Sequence, residues 1–384
     1  MSHVVYALCG YGRGHASRAV AVAAALRARG HRVTFAAGGP AAADLPGEVL
    51  PVPALQQVVV GNRVDFRATA RANWPHARHS LETLDRLADA LAESDADLVV
   101  ADHEPFLPRA ARRAGVPVVA LSHQLVLTHT RVRIPIRYGP TAWGTRAGIA
   151  LLEPPGATPA IVPSYFFPPL RPRRDATLVG PTLRDDVLEA RPSRDGPVLV
   201  YLNEGAGMDT FLAALGCVDA EFAVYGVPDR APAPPNVSLH APDRAAFLRD
   251  LSRSRAVIAT AGFTLLSEAL HVGKPILALP NRGFFEQTVN ALYLERMGRG
   301  EAIHARAARA GDIAGFLDRA DRYAATPGTR AEGEAGREAA ADRIEAALAA
   351  PRPHPVPPSA LAAWALARER AQARERAEAA SPHF

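Results

Sequence analysis

Lysine is nearly missing from this 384-residue chain: of 44 basic residues only Lys274 is a lysine. Arginine therefore carries the positive charge, and the net charge of +5 (pI about 9.5) leaves it interleaved with 39 acids. A nucleic-acid surface clusters its cations and sets aromatics between them. No such stripe is present, so no nucleic-acid partner is expected. Cysteine is scarce as well. Cys9 and Cys217 stand far apart without CxxC or metal-ligand spacing, which argues for free thiols in a reducing compartment. No apolar run reaches the ~20 residues of a membrane span. The N-terminus has no basic segment, and the apolar run 4–8 is too short for a signal core, so a cytoplasmic protein is expected. Phosphate-loop spacing (G-x-x-x-x-G-K-[ST]) is absent. Gly10-Tyr-Gly-Arg-Gly14 is spaced G-x-G-x-G, and the second strand ends in Ala36-Ala-Gly-Gly39 with no acid, so a dinucleotide reading fails twice. No DxD-like acid pair closes a strand. Neither a metal nor an organic cofactor is expected.

What is present suits a two-domain α/β protein. The chain exceeds the size of one usual core, and 48% hydrophobic residues with a mean hydropathy of −0.03 are globular values. Apolar strand-like runs at 4–8, 32–37, 98–101 and 116–121 alternate with helix-period segments at 17–29, 82–92 and 106–114. Prolines crowd 152–197 and interrupt the pattern. Alternation restarts with strands at 198–202, 222–225, 237–240 and 256–259, and helices at 244–252, 312–323 and 330–349. The expected fold is two doubly wound, Rossmann-like domains facing a cleft. The expected bounds are 1–168, a Pro-rich linker over 169–196, a second domain over 197–350, and a breaker with a C-terminal helix over 351–384. That helix either crosses back onto the first domain or ends as a frayed tail.

The segment Ala259-Thr-Ala-Gly-Phe-Thr-Leu-Leu-Ser-Glu268 carries the clearest chemistry. It reads as strand, glycine turn, helix. Gly262 delivers the amides of Phe263 and Thr264 at a helix N-terminus, where they have no intrahelical partner and suit a diphosphate. Glu268 lies one turn on and suits a ribose diol. Glu286, Gln287 and Asn290 open the next helix with groups suited to sugar hydroxyls. Asn203 follows the first strand of the second half, where it could meet the diphosphate or the sugar. Together they describe a nucleotide-sugar site.

These residues resemble a known family. Gly262-Phe-Thr-Leu-Leu-Ser-Glu268, Gly273-Lys-Pro275, Pro280 and Glu286-Gln287 with Asn290-Ala291 look like the donor half of GT-B glycosyltransferases. The likeness is nearest to the peptidoglycan N-acetylglucosaminyltransferase type and extends to enzymes acting on small molecules. Gly10-Tyr-Gly-Arg-Gly-His15 resembles the glycine loop of the first half. One departure is Glu286, where the peptidoglycan type has a glutamine, and it puts N-acetylglucosamine in question as donor sugar.

The resemblance implies roles. His15 would be the general base, oriented by Asp102 or Glu104; either acid could instead cap the following helix. Gly12, Arg13, Gly14, Glu104, His123 and Gln124 would line the acceptor side, and His240 would lie near the nucleobase. Apart from the resemblance, Arg13 and Arg18 could pair with a phosphate or face solvent, and the apolar stretch 125–136 could meet an anionic or lipid-linked acceptor or equally frame a small natural product. The expected reaction is metal-independent, inverting transfer from a UDP- or TDP-sugar, ahead of GDP, to an acceptor hydroxyl. A small natural product is preferred over a lipid-linked or cell-envelope acceptor. Two other classes share the architecture: an epimerase or hydrolase, and a non-catalytic nucleotide-sugar binder. Oligomeric state leaves no sequence trace.

Overall fold

In the computed structural model, residues 1–56, 58–60, 63–153, 159–172, 174–202, 207–227, 233–304 and 308–351 are described. Two wholly parallel sheets organise them. The first contains β1 (His3–Leu8), β2 (Arg32–Ala37), β3 (Val49–Pro51), β4 (Leu98–Asp102), β5 (Val118–Leu121), β6 (Ala160–Pro163) and β7 (Ala176–Val179), ordered β3-β2-β1-β4-β5-β6-β7. The second contains β8 (Val198–Tyr201), β9 (Phe222–Tyr225), β10 (Val237–His240), β11 (Val257–Ala259), β12 (Ile276–Ala278) and β13 (Gly300–Ala302), ordered β10-β9-β8-β11-β12-β13. Each order reverses direction at its first strand, the topological switch point where open α/β sheets bind ligands. In the first sheet the point lies between β1 and β4, with Leu8 opposite Asp102. In the second it lies between β8 and β11.

Both faces of such a sheet are covered, so the central strands β1, β4 and β8 are apolar runs with their side chains almost wholly buried. Helix α1 (Arg13–Ala28) packs through Ala16, Ala19, Val22, Ala23 and Leu26, one stripe at helical spacing. Small alanines on that stripe let the helix lie close to the sheet. Among the further helices, α2 (Ser80–Glu93), α3 (Leu107–Ala114) and α4 (Gly139–Leu152) belong to the first unit, and α5 (Arg244–Arg253), α6 (Phe263–His271) and α7 (Phe285–Arg296) to the second.

Three expectations change. The linker expected over 169–196 contains β7, which pairs with β6 and closes the first sheet. Its prolines sit outside the strand, and β7 is an edge, where flanking prolines leave the ladder intact. The helix expected at 330–349 as part of the second domain is α8 (Arg330–Leu348), and it crosses onto the first. Ala340, Ala341, Ile344 and Ala347 enter the core around β1 and α1. Arg29 adds ion pairs to Glu338, Asp342 and Glu345 at 2.6–2.7 Å. The helix proposed beyond 351 lies outside the described residues. Finally, the stretch 125–136 is mostly core: Leu125, Val126, Leu127 and Val132 are buried, while Ile136 is 96% exposed.

Small residues explain the crossing. A Cβ on Gly336 would fall inside the envelope of the Gly180 and Pro181 carbonyl oxygens, and one on Gly333 would strike Leu188. Gly336→Ala should therefore cost about 1–3 kcal/mol by overpacking. Gly311→Ala, at a helical glycine with nothing within 4 Å, should be neutral or stabilising by up to ~1 kcal/mol. Thermal denaturation of the two variants checks the contrast.

Candidate active site

The loop after β1 and the end of β4 meet at the first switch point. Gly12 takes φ 87°, a left-handed value that favours glycine, and starts α1 without a side-chain cap. Two residues into that helix, His15 faces the last residue of β4. Its Nδ1 lies 3.0 Å from Asp102 Oδ1. Arg18, one turn along, sends Nε to Asp102 Oδ2 at 2.9 Å and Nη2 to Oδ1 at 2.7 Å. Nη2 is also 3.0 Å from His15 Nδ1. Asp102 is fully buried, and the guanidinium of Arg18 together with His15 holds its carboxyl well below the usual carboxylate range, against desolvation. A carboxylate only accepts, so the contact to Asp102 is made by Nδ1–H; Arg18 Nη2, itself a donor, then lies beside that N–H without bonding to it, and Nε2 is the ring nitrogen left outside the cluster.

The acid that partners His15 is thus Asp102. Glu104 is buried and accepts from the Phe106 and Leu107 amides at 2.8 and 2.7 Å, which ties it to the first backbone groups leading into α3 and not to His15. Burial pushes its carboxyl up to about 7 against those amides. Between the two acids, His103 adopts φ 58°, and its ring lies 6.3 Å from that of His15, nearly parallel. Burial and the proximity of His15 lower its pKa to about 4. Neither His103 nor the role of Arg18 was legible beforehand. The only available signal was Arg18 at i+3 from His15, on the same helical face.

The second switch point faces the first directly. Gly262 precedes α6 as its N-cap; its φ of −70° demands no glycine, and a Cβ there would meet nothing within 4 Å, so neither backbone nor packing within the protein requires one. Helix α6 has no side-chain cap, and the amides at its start, Phe263 and Thr264 among them, have no intrahelical partner. Thr264 Oγ1 donates to the Gly14 carbonyl at 3.3 Å, setting the glycine loop against the start of α6. The Arg18 guanidinium stands 6.0 Å over the Phe263 ring. Arg13 is exposed and pairs with Asp44 at 3.7 Å. Asn203 lies outside the described residues.

The other residues expected to meet ligand have the following surroundings in the protein. His123 is buried and stacks on Phe263 at 3.9 Å. Its Nδ1 lies 2.7 Å from the Pro163 carbonyl oxygen and its Nε2 2.8 Å from Asn290 Oδ1. Asn290 is fully buried and donates through Nδ2 to Ala261 O at 3.0 Å, so both residues clasp the two units together instead of lining an open acceptor or sugar pocket. Gln287 accepts from the Asn281 amide at 2.9 Å. Gln124 and Glu286 are half-buried, and the Glu286 charge acts on His123, Arg18 and Tyr165. His240 stacks on Tyr225 at 4.8 Å. Glu268 is 3% exposed and already paired: Arg244, which sequence reasoning missed, reaches it at 3.1 and 3.4 Å. Among the described residues no three His, Cys, Asp or Glu side chains group as metal ligands. Nor is any helix among them long and apolar enough to cross a membrane.

Two stability outcomes follow. Asp102→Asn leaves Arg18 buried beside a neutral amide and should cost about 3–5 kcal/mol. The Glu104 carboxyl binds its proton more tightly folded, about 7, than unfolded, about 4.5. Its contribution is therefore full below pH ~4.5 and lost as pH rises through 7, amounting to roughly 3 kcal/mol. Glu104→Gln should flatten the melting temperature against pH over that window.

The family model for glycosyl transferase family 1 matches residues 2–320. Oleandomycin glycosyltransferase from Streptomyces antibioticus is 37% identical over 119 residues, covering 29% of this chain and 27% of that protein. Among solved structures, Os79 from O. sativa aligns with a TM-score of 0.63 at 15% identity, over 90% of this chain and 100% of that one. The calicheamicin glycosyltransferase CalG4 aligns at 0.59 and 20% identity (91% and 100%). MurG from Acinetobacter baumannii aligns at 0.56 and 17% (90% and 100%). These structures share the paired Rossmann-like domains of the GT-B fold, and the chain belongs to glycosyl transferase family 1.

Proposed function

We propose that the protein transfers a sugar from a nucleoside-diphosphate sugar to a hydroxyl of a small-molecule acceptor, inverting the anomeric carbon. The observation that carries this reading is the His15–Asp102–Arg18 cluster, set against the free amides of α6 by the Thr264–Gly14 contact. In the proposed step, His15 Nε2 takes the acceptor proton as the hydroxyl oxygen bonds to the anomeric carbon. The bond from that carbon to the diphosphate oxygen breaks on the opposite face, and its electron pair leaves with the diphosphate. Asp102 stabilises the imidazolium that forms. The amides at Phe263 and Thr264 take the leaving charge without a metal.

UDP or TDP is proposed ahead of GDP, and a natural-product acceptor is supported by the partial match to oleandomycin glycosyltransferase. One observation favours a second reading, a lipid-linked acceptor. Ile136 and Trp143 are 96% and 76% exposed, and Arg131, Arg133 and Arg137 are exposed with them.

His15→Ala should lower turnover by about 10²–10⁴-fold while leaving nucleoside-diphosphate affinity intact. A rate near that of the unmodified protein removes the base assignment. Release of nucleoside diphosphate that needs an acceptor separates transfer from hydrolysis, epimerisation and simple binding. Its persistence in EDTA tests the metal-free step.

A further inference from the structure

Glu268 poses a physical problem for the donor site. A carboxyl that is 3% exposed loses its hydration, and burial pushes its proton affinity upward. A protonated carboxyl offers one donor and a weaker acceptor set. Only the ionised form presents two equivalent oxygens to a pair of hydroxyls. Something must therefore stabilise the charge and fix the plane of the group.

Arg244 opposes the upward push of burial and fixes the plane of the group. It is the first residue of α5, placed beside α6 by the short turn after β10, where Asp243 caps α5 by accepting from the Ala246 amide at 3.0 Å. Its Nη2 lies 3.1 Å from Glu268 Oε1 and its Nη1 3.4 Å from Oε2, one nitrogen to each oxygen. The guanidinium is itself held from behind. Nε reaches Asp186 Oδ2 at 3.1 Å and Nη2 reaches Oδ1 at 3.2 Å. Arg184 flanks Asp186 at 3.5 Å. A rigid fork clamped between two carboxylates can choose the orientation of the buried one. It occupies one lone pair on each Glu268 oxygen and leaves another on each.

We propose that Arg244, anchored on Asp186, is the positioning residue that makes Glu268 a reader of the ribose hydroxyls of a nucleoside diphosphate. The proposal rests on the reading of Glu268 as the ribose ligand and adds the residue on which that role depends. A lysine would keep the charge but not the two-point fork, so Arg244→Lys preserves the ion pair and blurs the geometry.

Calorimetric titration of the full chain with UDP, TDP and GDP, and with the 2′,3′-dideoxy forms of UDP and GDP, tests it. In the unmodified protein the better-bound ribonucleotide should exceed its dideoxy form by about tenfold or more, as hydrogen bonds to a charged group require. Arg244→Met should compress that ratio to about twofold or less while the dideoxy form binds within about threefold of its original affinity; Arg244→Lys should fall between. A full ratio in Arg244→Met overturns the proposal, and so does loss of both ligands together in a folded Arg244→Lys, which marks a structural role alone. Equal binding of ribo and dideoxy forms by the unmodified protein defeats the Glu268 assignment itself. Failure of every nucleotide to bind defeats the donor reading above it. Should Arg244→Met not fold, the Arg244→Lys ratio decides.

Discussion

A single buried carboxylate organises the first half of this protein. Asp102 ends β4 without solvent, and a charge in that position is tolerable only because Arg18 and His15 both donate to it. The pairing ties α1 to the middle of the sheet, fixes which imidazole nitrogen carries the hydrogen, and sets the loop 9–12 over the switch point. Its partners are one helical turn apart, so the start of α1 must be well formed for the cluster to exist. The left-handed backbone at Gly12 is what lets the helix begin there.

The second half is fastened to this cluster through aromatic stacking rather than charge. Phe263, the first residue of α6, lies between His123 at 3.9 Å and Tyr165 at 5.9 Å, and Phe166 stacks on Tyr293 at 4.1 Å. The Tyr165 hydroxyl donates to the Asn290 carbonyl at 2.8 Å. The helix proposed to receive the diphosphate is thereby also an interface helix, and in that reading ligand charge and domain contact would act on one element.

Much of this was legible in the sequence. Alternating apolar runs announced the parallel sheets because strands buried on both faces cannot be polar, and most observed strand limits fall within a residue or two of the runs. The helix at 263–271 and its preceding glycine were visible because phosphate-binding turns leave a local trace. What stayed hidden depends on partners distant in sequence. Arg244 meets Glu268 across 24 residues, and His123 meets Asn290 across 167. Asn290 looked like a sugar ligand because polarity at a helix start suits an open cleft, yet packing closed over it. Proline density hid β7, since a count of prolines does not reveal that they flank an edge strand.

The close approach of Gly336 to Gly180 also bears on how the two halves move. The chain passes between them twice, once through 180–197 and once into α8, and at these glycines the two passages touch. Two adjacent tethers act as a door's paired pins. They permit rotation about the line they define and resist twisting or sliding across it. Rotation about that line is the relative displacement this geometry resists least, and it would carry α6 along a single arc past the glycine loop.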